Sequence, residues 1–287
     1  RGMTAEDAVG RFSFNLNVFG NLWEQIAKFR AARKLWAKML REDYGVEEKK
    51  KLFLRGLFGG GGSGLTKEQP ENNIIRGAYY ALAAALGGAQ TTALCSFDEA
   101  YTIPTPRAAL LSLRTLELLM DEIGLRDTVD PLAGSYFIET LTKQMEEKIG
   151  EEMKQIQEMG GMVKAVATGS IQREVARQAY EFEKSIQNKE AIKVGVNKYM
   201  EGDDPEVELH AYNESWAESQ ISGLKELRRT RDNRMVTRML KNLEQSVRNG
   251  ENVMPDLVEC CRVYATVGEM TGVFRDVFGE WQEPNLF

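Results

Sequence analysis

The stretch RGLFGGGGSGLTKEQPENN, residues 55–73, sets five glycines and one serine between a short apolar run and a helix-like segment. Such a run can cradle a phosphate, serve as a flexible linker, or shape a pocket. Gly59, Gly61 and Gly64 satisfy G-x-G-x-x-G, but any glycine run this dense does, and no acidic residue follows about twenty positions on to hold a ribose. A P-loop needs Lys and then Ser or Thr after its last glycine. Here Gly64 is followed by Leu65 and Thr66. A linker is also a poor fit, because strand and helix signals abut the run on both sides. The glycines then belong at the C-terminal end of a parallel strand, where α/β sites form and where missing side chains leave room for a bulky ligand.

Working outward, residues 11–18 (RFSFNLNV) alternate Phe12, Phe14, Leu16 and Val18 with polar partners, a period-two strand pattern. Asn21 and Glu24 have capping-box spacing, Leu22, Ile26, Phe29, Trp36 and Leu40 recur on one helical face, and Gly45 is a stop. The apolar run 52–58 predicts a second strand. Thr66 and Gln69 suggest a second capping box, with Pro70 in the first turn of a helix ending at Gly87-Gly88. Residues 90–95 are a third candidate strand, and Thr105-Pro106 opens a helix over 107–123. Strand and helix thus alternate three times, which means parallel strands with helical crossovers. From Val129 onward the chain is mostly helical, over 135–159, 170–189, 216–248 and 254–278, with a polar connector at 201–205. The expected division is 1–125, α/β, followed by a helical region, 126–287. Three parallel strands leave raw edges, and an eight-stranded barrel needs about 250 residues of such units. The strands therefore read as part of a larger sheet.

Composition excludes several classes of function. Basic and acidic residues are interspersed with a net charge of −6, so no basic face awaits a nucleic acid. No apolar run is long enough to span a membrane, and the start, RGMTAEDAV, lacks the features of a signal peptide. That start has the look of mid-chain sequence, as expected for a piece of a longer product or half of a split enzyme. Cys95, Cys260 and Cys261 have no metal-ligand spacing and fit reduced thiols in a cytoplasmic protein. The one histidine, His210, lies in a polar connection, so neither a His-rich zinc site nor a serine triad is expected.

Long words along the chain, FRAARKLWAKMLREDYG, LTKEQPENNIIR, ALGGAQ, DEA, DTVDPLAGSYFIE, EMGGMVKAV and VGVNKY, together with the ending GEWQEPNLF, resemble the acyl-CoA-binding part of the cobalamin-dependent acyl-CoA mutases, the methylmalonyl-CoA mutase family. The resemblance covers nearly the whole chain. It implies a partial (β/α)8 barrel, about the last three βα units, threaded by a CoA ester and capped by adenosylcobalamin, with a radical rearrangement of the carbon skeleton. The cofactor supplies that chemistry while the protein binds, orients and shields. It also implies partners: a chain or segment completing the N-terminal half of the barrel, and a small cobalamin-binding subunit that carries the cobalt-ligating histidine.

Residue by residue, Arg11 and Ser13 match an Arg-x-Ser that touches the CoA portion. Gln90 matches a glutamine beside the substrate, and Glu99 a glutamate that hydrogen-bonds the cofactor's deoxyadenosine. Three positions depart from the family. Leu57 and Gly59 stand where a histidine and a glutamine face the thioester, and Cys95 stands for an asparagine. Losing donors to a buried carbonyl costs about 1–3 kcal/mol. The resemblance therefore implies a reshaped wall for a larger or more apolar acyl group, or a homologue that has lost catalysis.

Overall fold

The computed structural model describes residues 3–202 and 206–284. Their contacts fall into two compact units, one through residue 210 and the other from 211 onward.

The first unit opens with a short helix, α1 (Ala5–Val9), capped by Thr4. Strand β1 (Phe14–Val18) then leads to α2 (Leu22–Glu42), where the Asn21 side chain accepts hydrogen bonds from the N–H groups of Trp23 and Glu24. Strand β2 (Gly56–Gly60) lies parallel to β1, with Phe14 opposite Gly56 and Val18 opposite Gly60. After α3 (Asn72–Leu86), residues 91–94 continue the layer on the far side of β2. The Phe58 N–H donates to Thr91 O at 3.0 Å, and the Gly60 N–H to Ala93 O at 2.8 Å. The chain proceeds through α4 (Pro106–Asp121), α5 (Tyr136–Glu158), α6 (Met162–Ala167) and α7 (Ser170–Gln187). The structure is α/β, mostly helical with a small parallel sheet, and among the described residues no helix is long and apolar enough to cross a membrane.

Alternation along the strands decides what faces the helices. Phe14, Leu16 and Val18 of β1 and Phe58 of β2 pack with Phe29 of α2 and with Tyr80, Ala83 and Ala84 of α3. Phe58 stacks on Phe29 with ring centroids 4.2 Å apart, and neither ring reaches solvent. The alanines of α3 let the helix sit close to the sheet. The word DTVDPLAGSYFIE is tied to α2 by Arg30, which pairs with Asp130 and, at 2.7 Å, with Glu139, and by Trp23, which meets Phe137 edge-on, while Leu132 packs on the core.

Several expected boundaries move. The second strand is 56–60, not 52–58, so Gly59 and Gly60 belong to the strand itself. Their small size is what the packing demands, since a Cβ on Gly60 would stand 3.0 Å from Leu94 Cδ2 and 3.4 Å from Tyr80. The first strand begins at Phe14, which leaves Arg11 in a turn and Ser13 just before the strand. The capping box at Thr66 and Gln69 does not form. Asn73 holds both backbone polar groups of Thr66, Arg76 donates to its hydroxyl, and Gln69 turns to φ +48°, so the helix starts at Asn72. Helix α4 opens at Thr105-Pro106 as expected, and α5 runs from a Ser135 cap to Met159. Of the polar connector, 203–205 lie outside the described residues.

The second unit contains α8 (Glu214–Thr230), α9 (Asn233–Asn249), α10 (Met254–Arg262) and α11 (Val267–Phe278); the last three pack together, with Val236, Leu243, Val247 and Cys260 buried. The two long helices expected here are each split. Asp232 caps α9, and Thr266 with Glu269 forms a full capping box at α11. Apolar periodicity runs through both breaks and hides them. Arg231, at the first break, forks onto Glu269 and the carbonyl of Tyr264.

Candidate functional site

The face of the sheet turned away from the helices carries Asn15 and Asn17 of β1, both exposed, and Leu57 and Gly59 of β2. This is the face that lacks a helical cover. Gly59 has no side chain, and a Cβ there would meet Leu57 Cδ2 at 3.1 Å and Ala93 O at 3.5 Å. At the C-terminal end of the strands, Gly61 lies against Asn17, with a Cβ 3.2 Å from Asn17 Cγ. Gly62, in a 3-10 turn with Ser63 and Gly64, lies against Glu99 and Cys95. A Cβ on it would stand 3.1 Å from Glu99 Cγ and 3.6 Å from Cys95 Sγ.

The structure therefore gathers Gly61, Gly62, Cys95 and Glu99 with Asn17 at one end of the sheet. Arg11 and Ser13, both exposed, lie at the opposite end, before β1. Gln90 sits there too, and its side-chain amide donates to Leu54 O at 2.9 Å. The candidate residues thus spread along the strand direction over one open face and do not converge on a point.

Two neighbours of Glu99 explain its placement. Asp98 is fully buried, accepts from the Ser96 hydroxyl and, at 3.0 Å, from the Thr105 N–H, and so anchors the loop. Glu99 is left exposed on the side of Gly62. The Cys95 thiol donates to Gly60 O at 3.0 Å, and burial first, then the nearby Glu99 carboxylate, push its pKa up. It stays protonated at neutral pH and is a poor nucleophile. Chemically this end of the sheet offers a carboxylate that can accept hydrogen bonds and a wall stripped of side chains.

Asn17 and Lys28 did not emerge from the sequence. Lys28 donates to Asn17 O at 2.7 Å and to Gln25, and burial brings its pKa down to about 8. The signal for Asn17 was the polar phase of the β1 alternation, Ser13, Asn15 and Asn17, on the same face as Gly59. Among the described residues no group of three or more His, Cys, Asp or Glu could hold a metal ion. His210 lies in a loop, where its backbone N–H donates to Thr102.

A sequence model of the family described as methylmalonyl-CoA mutase matches residues 1–280. The 2-hydroxyisobutanoyl-CoA mutase large subunit of Aquincola tertiaricarbonis is 34% identical over 288 residues, covering 100% of this chain and 51% of that protein. Methylmalonyl-CoA mutase of Rhizobium meliloti is 36% identical, over 98% of this chain and 40% of its own length. The human mitochondrial methylmalonyl-CoA mutase is 35% identical, over 97% of this chain and 38% of its own length. The chain spans about half or less of the length of these relatives. Agreement of this extent along the whole chain makes it a member of the methylmalonyl-CoA mutase family.

Proposed function

We propose that the chain is part of an adenosylcobalamin-dependent acyl-CoA mutase, an isomerase, and supplies about the last three βα units of its acyl-CoA-binding TIM barrel through residues 1–125, with 126–287 as the helical region. The observation that carries this is the open sheet face, with Arg11 and Ser13 at one end and Gly62, Cys95 and Glu99 at the other. A CoA thioester lying along the strands meets Arg11 and Ser13 with its CoA portion. Its acyl end faces Leu57 and Gly59, with Gln90 nearer the entry, bonded to the backbone of Leu54 just before strand two. Leu57 and the glycines give that end apolar room for a bulkier acyl group. The names of the relatives already differ in the acyl group, so the wall facing it is where members of the family would diverge.

The residues fit the cofactor at one point. Glu99 is an exposed carboxylate beside a side-chain-free Gly62 and a protonated thiol, suited to accept hydrogen bonds from sugar hydroxyls. When bound, the cofactor supplies the radical chemistry. Asp98 holds the loop that presents Glu99, and the Cys95 thiol holds the glycine strand in place. A small cobalamin-binding subunit or domain would bring the cobalt ligand. A further chain or segment would add its strand to the outer edge of β1, which among the described residues pairs with β2 alone. Three free cysteines suit a reducing, cytoplasmic setting.

The second reading, a non-catalytic homologue with an assembly role, is favoured by the loss of polar groups at Leu57, Gly59 and Cys95. Co-expression with a half-barrel partner and a cobalamin-binding partner decides between the two. Turnover of a branched or aryl acyl-CoA in a panel supports the mutase. Acyl-CoA binding without turnover of any member supports the second reading, and failure of both binding and turnover overturns the proposal.

A further inference from the structure

On the other side of Gly64 lies a cavity of about 540 Å3, within the size range of ligand pockets. It sits between the β1–α2 turn, Gly64, α3, the end of α7 and residues 191–194. Its walls are mostly apolar, with Phe19, Ile75, Tyr79, Tyr80 and Phe182 among them. At its rim Ile75 is 66% exposed, Phe182 56% and Ile192 50%, a cluster of apolar side chains in water that marks an interaction site.

Two cations line this cavity, and among the described residues neither pairs with a carboxylate. Arg76 is 8% exposed. Its guanidinium donates to Thr66 Oγ1 and Asn73 Oδ1, each at 2.8 Å, and to Val194 O at 2.9 Å, all neutral acceptors. Lys193 donates to the carbonyl of Gly64, also neutral. Burial and the charge of Arg76 lower the Lys193 pKa. Among the described residues no carboxylate lines the cavity. Buried cations without a counter-charge are costly, and two within reach of each other cost more. Among the described residues the cavity thus carries uncompensated positive charge.

We propose that this cavity binds an organic monoanion with an apolar body, its head on Lys193 beside Arg76 and its body against Tyr79, Ile75 and Phe182. The proposal does not depend on the mutase assignment, because it uses none of the residues on the open sheet face.

Calorimetric titration of the whole chain at pH 7 with octanoate and with the neutral octanamide tests it. Octanoate is expected to bind at least about tenfold more tightly than octanamide. Lys193→Gln keeps a donor for the Gly64 carbonyl and removes the charge, so it should reduce that ratio to about twofold or less. Phe182→Ala, at an exposed position, should weaken both ligands and keep the ratio. Equal affinities for acid and amide, no octanoate binding below about 10 mM, or an unchanged ratio in Lys193→Gln would overturn the proposal. Should Lys193→Gln fail to fold by circular dichroism, Phe182→Ala decides: undiminished octanoate affinity in that variant overturns the proposal, and weakened affinity sustains it.

Discussion

A single methyl group at Gly64 should damage the fold far more than the same group two residues earlier. Gly64 is buried beneath Tyr80, whose ring is 1% exposed. A Cβ there would fall inside contact distance of the Tyr80 hydroxyl, 2.9 Å from its Cζ and 3.1 Å from Phe19 Cβ. Tyr80 cannot retreat, because it packs in the core with Phe29 and Phe58. Overpacking of this kind costs about 1–3 kcal/mol, so Gly64→Ala should destabilise the first unit by about 1–3 kcal/mol. At Gly62 the same methyl meets the stem of exposed Glu99, which can swing away, and the cost should stay within about 0.5 kcal/mol. Urea unfolding followed by near-ultraviolet circular dichroism measures both. Tyr80→Phe removes the clashing oxygen, so the double variant with Gly64→Ala should lose less than the sum of the single changes. A Gly64→Ala protein as stable as wild type, or strict additivity with Tyr80→Phe, would refute this account of the glycine turn.

If the chain serves in a mutase as proposed, Leu57→His with Gly59→Gln should lower kcat/KM for a bulky acyl-CoA about tenfold or more, as expected when filled space costs about 1–3 kcal/mol; unchanged kinetics in a folded variant would refute the pocket. Lys28 releases its proton near pH 8 in the folded protein, whereas its ordinary value is 10.5. The unfolded chain therefore holds more protons in that window, so stability should rise with pH from about 8 to 10.5, and Lys28→Met should flatten this slope in denaturant titrations relative to wild type. Arg231 holds Glu269 down to about 2. The stability this pair gives the second unit should be complete above the ordinary carboxylate value of 4.5 and lost as pH falls through about 2, and Glu269→Gln should cost about 1–3 kcal/mol at neutral pH.

Alternation and capping made much of this legible before any coordinates. The β1 pattern at Phe14, Leu16 and Val18, the Asn21 cap, Thr105-Pro106 and the Ser135 start all lie close to where local chemistry puts them. What failed was whatever long-range packing decides. Thr66 has the right spacing for a cap, but Asn73 and Arg76 from the next helix take its polar groups. Gly59 and Gly60 look like loop residues because propensity penalises glycine in strands, yet both lie in β2, and at Gly60 Leu94 and Tyr80 crowd any larger side chain. The breaks at Asp232 and Thr266 vanish under continuous apolar periodicity. At the candidate site, the intact Asp98-Glu99-Ala100 word located the carboxylate. Nothing in the word itself said that Asp98 is the buried anchor and Glu99 the exposed group, since that depends on Ser96 and Thr105 folding back onto it.

The bond from Lys193 to the carbonyl of Gly64 joins residues 129 positions apart. A ribosome adding about 5–20 residues per second needs about 6–26 s to make that interval. The strands and α3 can dock early in synthesis, but the turn at 62–64 waits for its lysine. The newborn protein thus has its sheet well before it has a finished rim, and a chain cut short between those moments would keep the β-layer while leaving the glycine turn without its tether.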